Sequence, residues 1–136
     1  MQAWEFKPSK IQFAATIYEL GNEGDELDAA VIQFTGSFGH GSNGNGDAAY
    51  MIAIRDYIID CVLPCAIVFD LRELNYEWGN TIWSMFRCDE PFATLVSDKC
   101  SGFQTCGVAK PMFDNLEAAL EYLRPQAIEY RKCLLE

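Results

Sequence analysis

Ala66, Ile67, Val68 and Phe69 form an apolar run without alternation, with Pro64 upstream and Asp70 directly after it. A strand wet on one face alternates polar and apolar residues. An unbroken short run therefore needs cover on both faces, as in the interior of an α/β sheet. A polar crossing from Asp70 to Gly79 follows, and then Ile82, Trp83, Met85 and Phe86 at helix-like spacing. A buried strand that opens into a loop at its carboxyl end is where open α/β folds carry their working surface.

The remaining segments arrange themselves around that strand. Alternation in KIQFAATIYEL (10–20) predicts an antiparallel strand with one wet face. The turn GNEGDELD leads into a second strand, AAVIQFTGSF (29–38), which closes a hairpin with a long acidic loop. Four glycines lie between Gly39 and Gly46 and mark a loop. A helix is expected from Asp47, its N-cap or first-turn acid, with Met51, Ile54, Ile58, Cys61 and Val62 on the buried face and Pro64 ending it. A second helix is expected over 79–87, a strand from Pro91 and a short strand at 112–114. The stretch 101–111 reads as a helical turn or a loop. Asp114 and Glu117 have capping-box spacing before a last helix, which Pro125 either kinks or divides. The order β-β-α-β-α-β-α predicts one α/β domain over residues 1–136, a mixed sheet with helices packed on it.

With 136 residues, half of them hydrophobic, the chain can bury a core without staples. Twenty acidic residues against ten basic ones give a net charge of −10. Such a surface repels nucleic acid and anionic lipid, and its complement is a basic protein steered by the field. Cys61, Cys65, Cys88, Cys100, Cys106 and Cys133 lie in or beside apolar segments and read as small hydrophobes. No secretory signal or membrane span is legible, so a cytoplasmic protein with reduced thiols is expected.

The residues suggest several chemistries. Gly39-His40-Gly41-Ser42-Asn43-Gly44 matches the dinucleotide pattern G-x-G-x-x-G, but the loop runs on to Gly46 and no Lys or Arg lies between Lys10 and Arg55. His40 is the only histidine, and pairing it with Ser42, Ser84 or Cys100 lacks a nucleophile elbow; it reads as a surface loop residue. Cys61-x3-Cys65 and Cys100-x5-Cys106 lack the close paired spacing of a zinc site. Glu19, Glu23, Asp25, Glu26 and Asp28 do not follow a calcium-loop pattern. They read as a solvated loop or as a landing patch for a basic partner. No cofactor, metal or catalytic set is expected.

Arg72, Glu73, Tyr76, Glu77, Trp78, Asn80 and Thr81 remain as the candidate partner-binding surface, because aromatic anchors among charges dominate protein interfaces. The competing expectation folds Tyr76 and Trp78 back on the core and pairs Arg72 with a carboxylate.

Over about 28–123 the chain resembles a STAS domain, found in bacterial anti-sigma factor antagonists and in the cytoplasmic tails of sulfate transporters. AVIQFTGSF resembles the opening strand, CAIVFDLREL the hallmark strand with its D-L pair, the helix after Gly79 the first helix beyond the hallmark loop, and MFDNLEAALEYL the closing strand and helix. The resemblance implies a non-enzymatic module that inhibits or regulates a partner, as an immunity-type inhibitor or a signalling antagonist. Where antagonists carry a phosphoacceptor serine, this chain reads Glu77-Trp78-Gly79-Asn80-Thr81, and Thr81 is the nearest hydroxyl. FTGSFGHGSNGNGD also resembles the glycine-rich stretch of crotonase-like enzymes, which implies an alternative: a small enzyme acting on an acyl thioester.

Overall fold

A computed structural model describes residues 1–103 and 107–136. Gln12–Glu19 (β1) and Asp28–Ser37 (β2) pair antiparallel, from Gln12 opposite Thr35 to Glu19 opposite Asp28. Ala66–Asp70 (β3) lies parallel to β2, and all five of its residues are buried. Leu74–Asn75 (β4), two residues that no periodicity announces, pairs parallel with Gly36 and Ser37. Phe92–Leu95 (β5) and Met112–Phe113 (β6) complete a mixed six-stranded sheet in the order β1-β2-β3-β5-β6, with β4 branching from β2.

The two faces of the apolar run explain its composition. Ile67 and Phe69, with Ala30, Ile32 and Phe34 of β2, pack under the helix Asn45–Val62 (α1) through Ala48, Met51 and Ile58. Ala66 and Val68, with Ala29, Val31, Ala93 and Leu95, face the helix Leu116–Leu134 (α2) through Ala119, Leu123 and Ala127. Alanines on both sides of this second interface let α2 sit close to the sheet. The result is the single-domain α/β architecture the sequence predicts. Among the described residues no helix is long and apolar enough to cross a membrane.

Several local expectations are corrected. The expected helix over 79–87 is a five-residue 3-10 turn, Ile82–Phe86. Its carbonyls are drawn to Arg55 of α1, whose Nη1 lies 2.8 Å from Ser84 O, 2.8 Å from Met85 O and 3.1 Å from Arg87 O. The chain turns there into β5 instead of continuing as a helix. The cap of α2 is Asn115, not Asp114, its side-chain oxygen accepting from Ala118 N–H at 2.8 Å, and Pro125 lies inside one continuous helix. The ambiguous stretch forms 3-10 turns at Asp98–Phe103 and Gly107–Ala109. Cys106 lies outside the described residues. Cys61 and Cys133 are exposed, contrary to the expected buried positions, whereas Cys65 and Cys100 are buried. β1 is wet on both faces, because neither helix reaches past β2 to cover it.

Candidate functional site

The parallel strands β2, β3 and β5 deliver three loops to their common carboxyl end. Asp70, the last residue of β3, is buried, and both its oxygens hold the Arg72 guanidinium: Nε donates at 2.9 Å and Nη2 at 2.9 Å. The Arg72 amide also donates to Asp70 at 3.2 Å. The hydrogen bonds to Asp70, and its charge, hold the Arg72 guanidinium above its usual basicity despite partial burial. The expected pairing of Arg72 with a neighbouring carboxylate is thus the one the fold makes.

Tyr76 does not contribute a surface ring. It is 1% exposed, stacked on Phe103 with centroids 4.1 Å apart and edge-on to Phe38 at 5.0 Å. Its expected role as an exposed anchor is corrected: the aromatic chamber between these loops is apolar enough to take it in. Trp78 behaves oppositely and is 55% exposed.

What holds Trp78 is the glycine loop. Gly41 and Gly79 form an isolated parallel bridge, with Gly41 N–H donating to Trp78 O at 3.4 Å. The Trp78 indole lies over Gly41, and the His40 ring stacks near it at 6.2 Å and 16°. His40 Nε2 is 3.3 Å from Glu77 Oε2, both side chains largely exposed. Below them, Phe38 N–H donates to Asn75 O at 2.9 Å, and Thr81 Oγ1 lies 3.3 Å from Asn45 Oδ1. Gly79 packs on Phe38, where a Cβ would approach the ring to 2.8 Å.

A third loop, which the sequence reading did not single out, braces the same platform. Ser97 Oγ donates to Arg72 O at 2.6 Å, Tyr76 N–H donates to Lys99 O at 3.0 Å, and Lys99 Nζ meets Glu73 Oε2 at 2.7 Å. Cys100 beneath them is buried, which pushes its thiol pKa up. Of the expected partner-binding residues, Glu73, Glu77, Trp78, Asn80 and Thr81 are exposed, Arg72 is half-buried and Tyr76 is buried.

The acidic patch lies elsewhere. Glu23, Asp25, Glu26 and Asp28 occupy the β1–β2 turn at the amino end of β2, a ten-residue strand about 30 Å long. The two expected halves of the partner surface therefore sit at opposite ends of the sheet. The patch is also partly neutralised: Arg131 of α2 donates to Glu26 O at 2.9 Å and reaches Glu26 Oε2 at 3.3 Å. Asp25 and Leu27 line a groove of about 350 Å³ with Ile128, Arg131, Lys132 and Leu135.

For a dinucleotide, one expectation changes. α1 begins at Asn45 with Gly44 as its N-cap, so the glycine loop does run directly into the helix. An internal anion already uses the loop, however: Asp47 accepts Gly39 N–H at 2.9 Å and the Ser9 hydroxyl at 2.6 Å. A phosphate there would meet the like charge of Asp47. Among the described residues no three His, Cys, Asp or Glu side chains gather as metal ligands. No protein-family model matches the chain, and no curated protein matches it.

Proposed function

We propose that the chain is a non-enzymatic, STAS-like interaction module of the cytosol that binds and inhibits or regulates a partner protein. The observation carrying this reading is Trp78, a large apolar side chain more than half exposed on a loop braced by two neighbours. Exposed aromatic anchors held in place before contact lose little entropy on binding, and such residues dominate interface energetics. On this reading Arg72, Glu73, Glu77, Asn80 and Thr81 supply the polar contacts beside it. A net charge of −10 favours a basic partner by steering, which fits an immunity-type inhibitor of a basic toxin or a signalling antagonist that works without a phosphoserine.

The enzymatic alternative, a crotonase-like protein acting on an acyl thioester, rests on the glycine-rich stretch before Asp47. That carboxylate is engaged with Ser9 and Gly39, which favours a structural role for the loop over a chemical one. Affinity capture from the native host tests the reading. The wild-type chain is expected to retain a stoichiometric partner that Trp78→Ala releases, with association slowed by added salt. Thermal stabilisation by coenzyme A together with an unchanged capture profile would favour the enzyme instead.

A further inference from the structure

β1 is an open sheet edge of an unguarded kind. From Gln12 to Tyr18 it carries no charge and no proline, the devices by which edge strands ordinarily refuse a neighbour, and its one charge is the terminal Glu19. All eight residues of β1 are exposed, and among the described residues no strand pairs with its outer side. The segment before it adds Trp4 at 82% exposure and Phe6 at 72%. It is tethered to the body by Ser9 on Asp47 and by buried Ile11.

We propose that a second copy of this chain occupies this edge, joining β1 to β1 antiparallel in a continuous twelve-stranded sheet. A two-fold axis perpendicular to the sheet keeps each face on its own side, so directly opposed residues must share parity. Phe13, Ala15 and Ile17 lie on the α1 face, as their partners Phe34, Ile32 and Ala30 do. With the axis at Ala15, Phe13 of each copy meets Ile17 of the other, an aromatic–β-branched pair formed twice. Tyr18 meets Gln12 on the opposite face. Glu19 comes opposite Ile11 and beside Lys10 of the second copy, which sets charges of opposite sign at each end of the pairing. Moving the axis to Thr16 would replace the Phe13–Ile17 pairs by Ala15–Ile17 and set Glu19 against Phe13.

The area is sufficient. Trp4, Phe6, Phe13, Ile17 and Tyr18 together expose on the order of 600 Å². The strand's backbone edge adds to this, approaching the roughly 800 Å² per partner of a stable interface. Elsewhere two copies of net charge −10 repel, and this charge-free window is where they can meet.

Sedimentation of the full chain up to about 100 µM, a concentration that populates even a weak dimer, tests the proposal. A dimer is expected, strengthened by salt because the copies repel. Ile17→Lys, an exposed position, should render it monomeric with an unchanged circular dichroism spectrum. Ala15→Cys in a Cys61→Ala, Cys133→Ala background should crosslink across the axis, while Tyr18→Cys should not. A monomer at every concentration overturns the proposal, including the case in which the edge takes a strand from a different protein. So does a dimer that survives Ile17→Lys, or one in which Tyr18→Cys crosslinks and Ala15→Cys does not.

Discussion

Trp78 lies across Gly41 so closely that a Cβ at Gly41 would come within 2.4 Å of the indole ring. Gly41 also has φ 56° and ψ −128°, a region open to glycine and strained for other residues. The pose of the exposed tryptophan is therefore set by a missing side chain 37 residues earlier in the chain. Gly41→Ala should cost about 1–3 kcal/mol and lower the melting temperature by about 5–10 °C. It should also weaken partner binding although the alanine touches no partner. Calorimetry with a binding assay checks both, and unchanged stability would show that the loop relaxes freely.

Arg55 ties α1 to the turn that replaces the expected helix. It is 8% exposed, and three carbonyls of the 82–87 segment converge on one of its nitrogens. Arg55→Met keeps much of the aliphatic packing and leaves those carbonyls without their donor. A loss of about 2–4 kcal/mol is expected in urea unfolding. A change under about 0.5 kcal/mol, the range of ordinary surface substitutions, would mean that water replaces the guanidinium.

Cys88 carries a pH signature. Burial, reinforced by Glu90, pushes its thiol from 9.0 up to about 11. The folded state holds that proton more tightly than the unfolded chain, so its contribution is complete below pH 9 and is lost as pH rises toward 11. Unfolding free energy should fall across that window by at most about 1.4 kcal/mol per pH unit from this group. Cys88→Ala should remove that part of the slope. At pH 8, alkylation should modify exposed Cys61 and Cys133 well before Cys88.

Arg131 decides how open the acidic turn is. Arg131→Ala should cost under about 1 kcal/mol, since the pair is solvent-screened. Hydrogen exchange of amides 21–27 should nonetheless speed up. If the acidic turn guides partner encounter, this variant should associate faster than wild type, and stopped-flow rates at low salt would show it.

What was legible in the sequence was whatever periodicity encodes. The unbroken apolar run marks β3, alternation marks β1, the turn after it marks the start of β2, and a three- and four-residue stripe marks α1. The features that were not legible depend on residues distant in the chain. Ile82–Phe86 has helical spacing, and only Arg55 explains why it stops after five residues. Tyr76 and Trp78 look equivalent as neighbours in a polar loop. Phe38 and Phe103 form a chamber for the first, whereas Gly41 seats the second on the outside. The cation that meets the acidic turn is not legible locally, because Arg131 is 105 positions from Glu26. Alternation suggested that β1 had one dry face, yet a strand's position in the sheet decides its burial, and β1 is the edge.

Trp78 is the proposed anchor for a protein partner, at a surface proposed to make and break no bond. The most direct test is the affinity of the captured partner for the wild-type chain and for Trp78→Ala, with Leu135→Ala at the far end of the molecule as reference. Trp78→Ala should weaken binding by about 30-fold or more, as expected for an anchor worth at least about 2 kcal/mol, while Leu135→Ala should bind as wild type does. Equal affinity for all three proteins would contradict it.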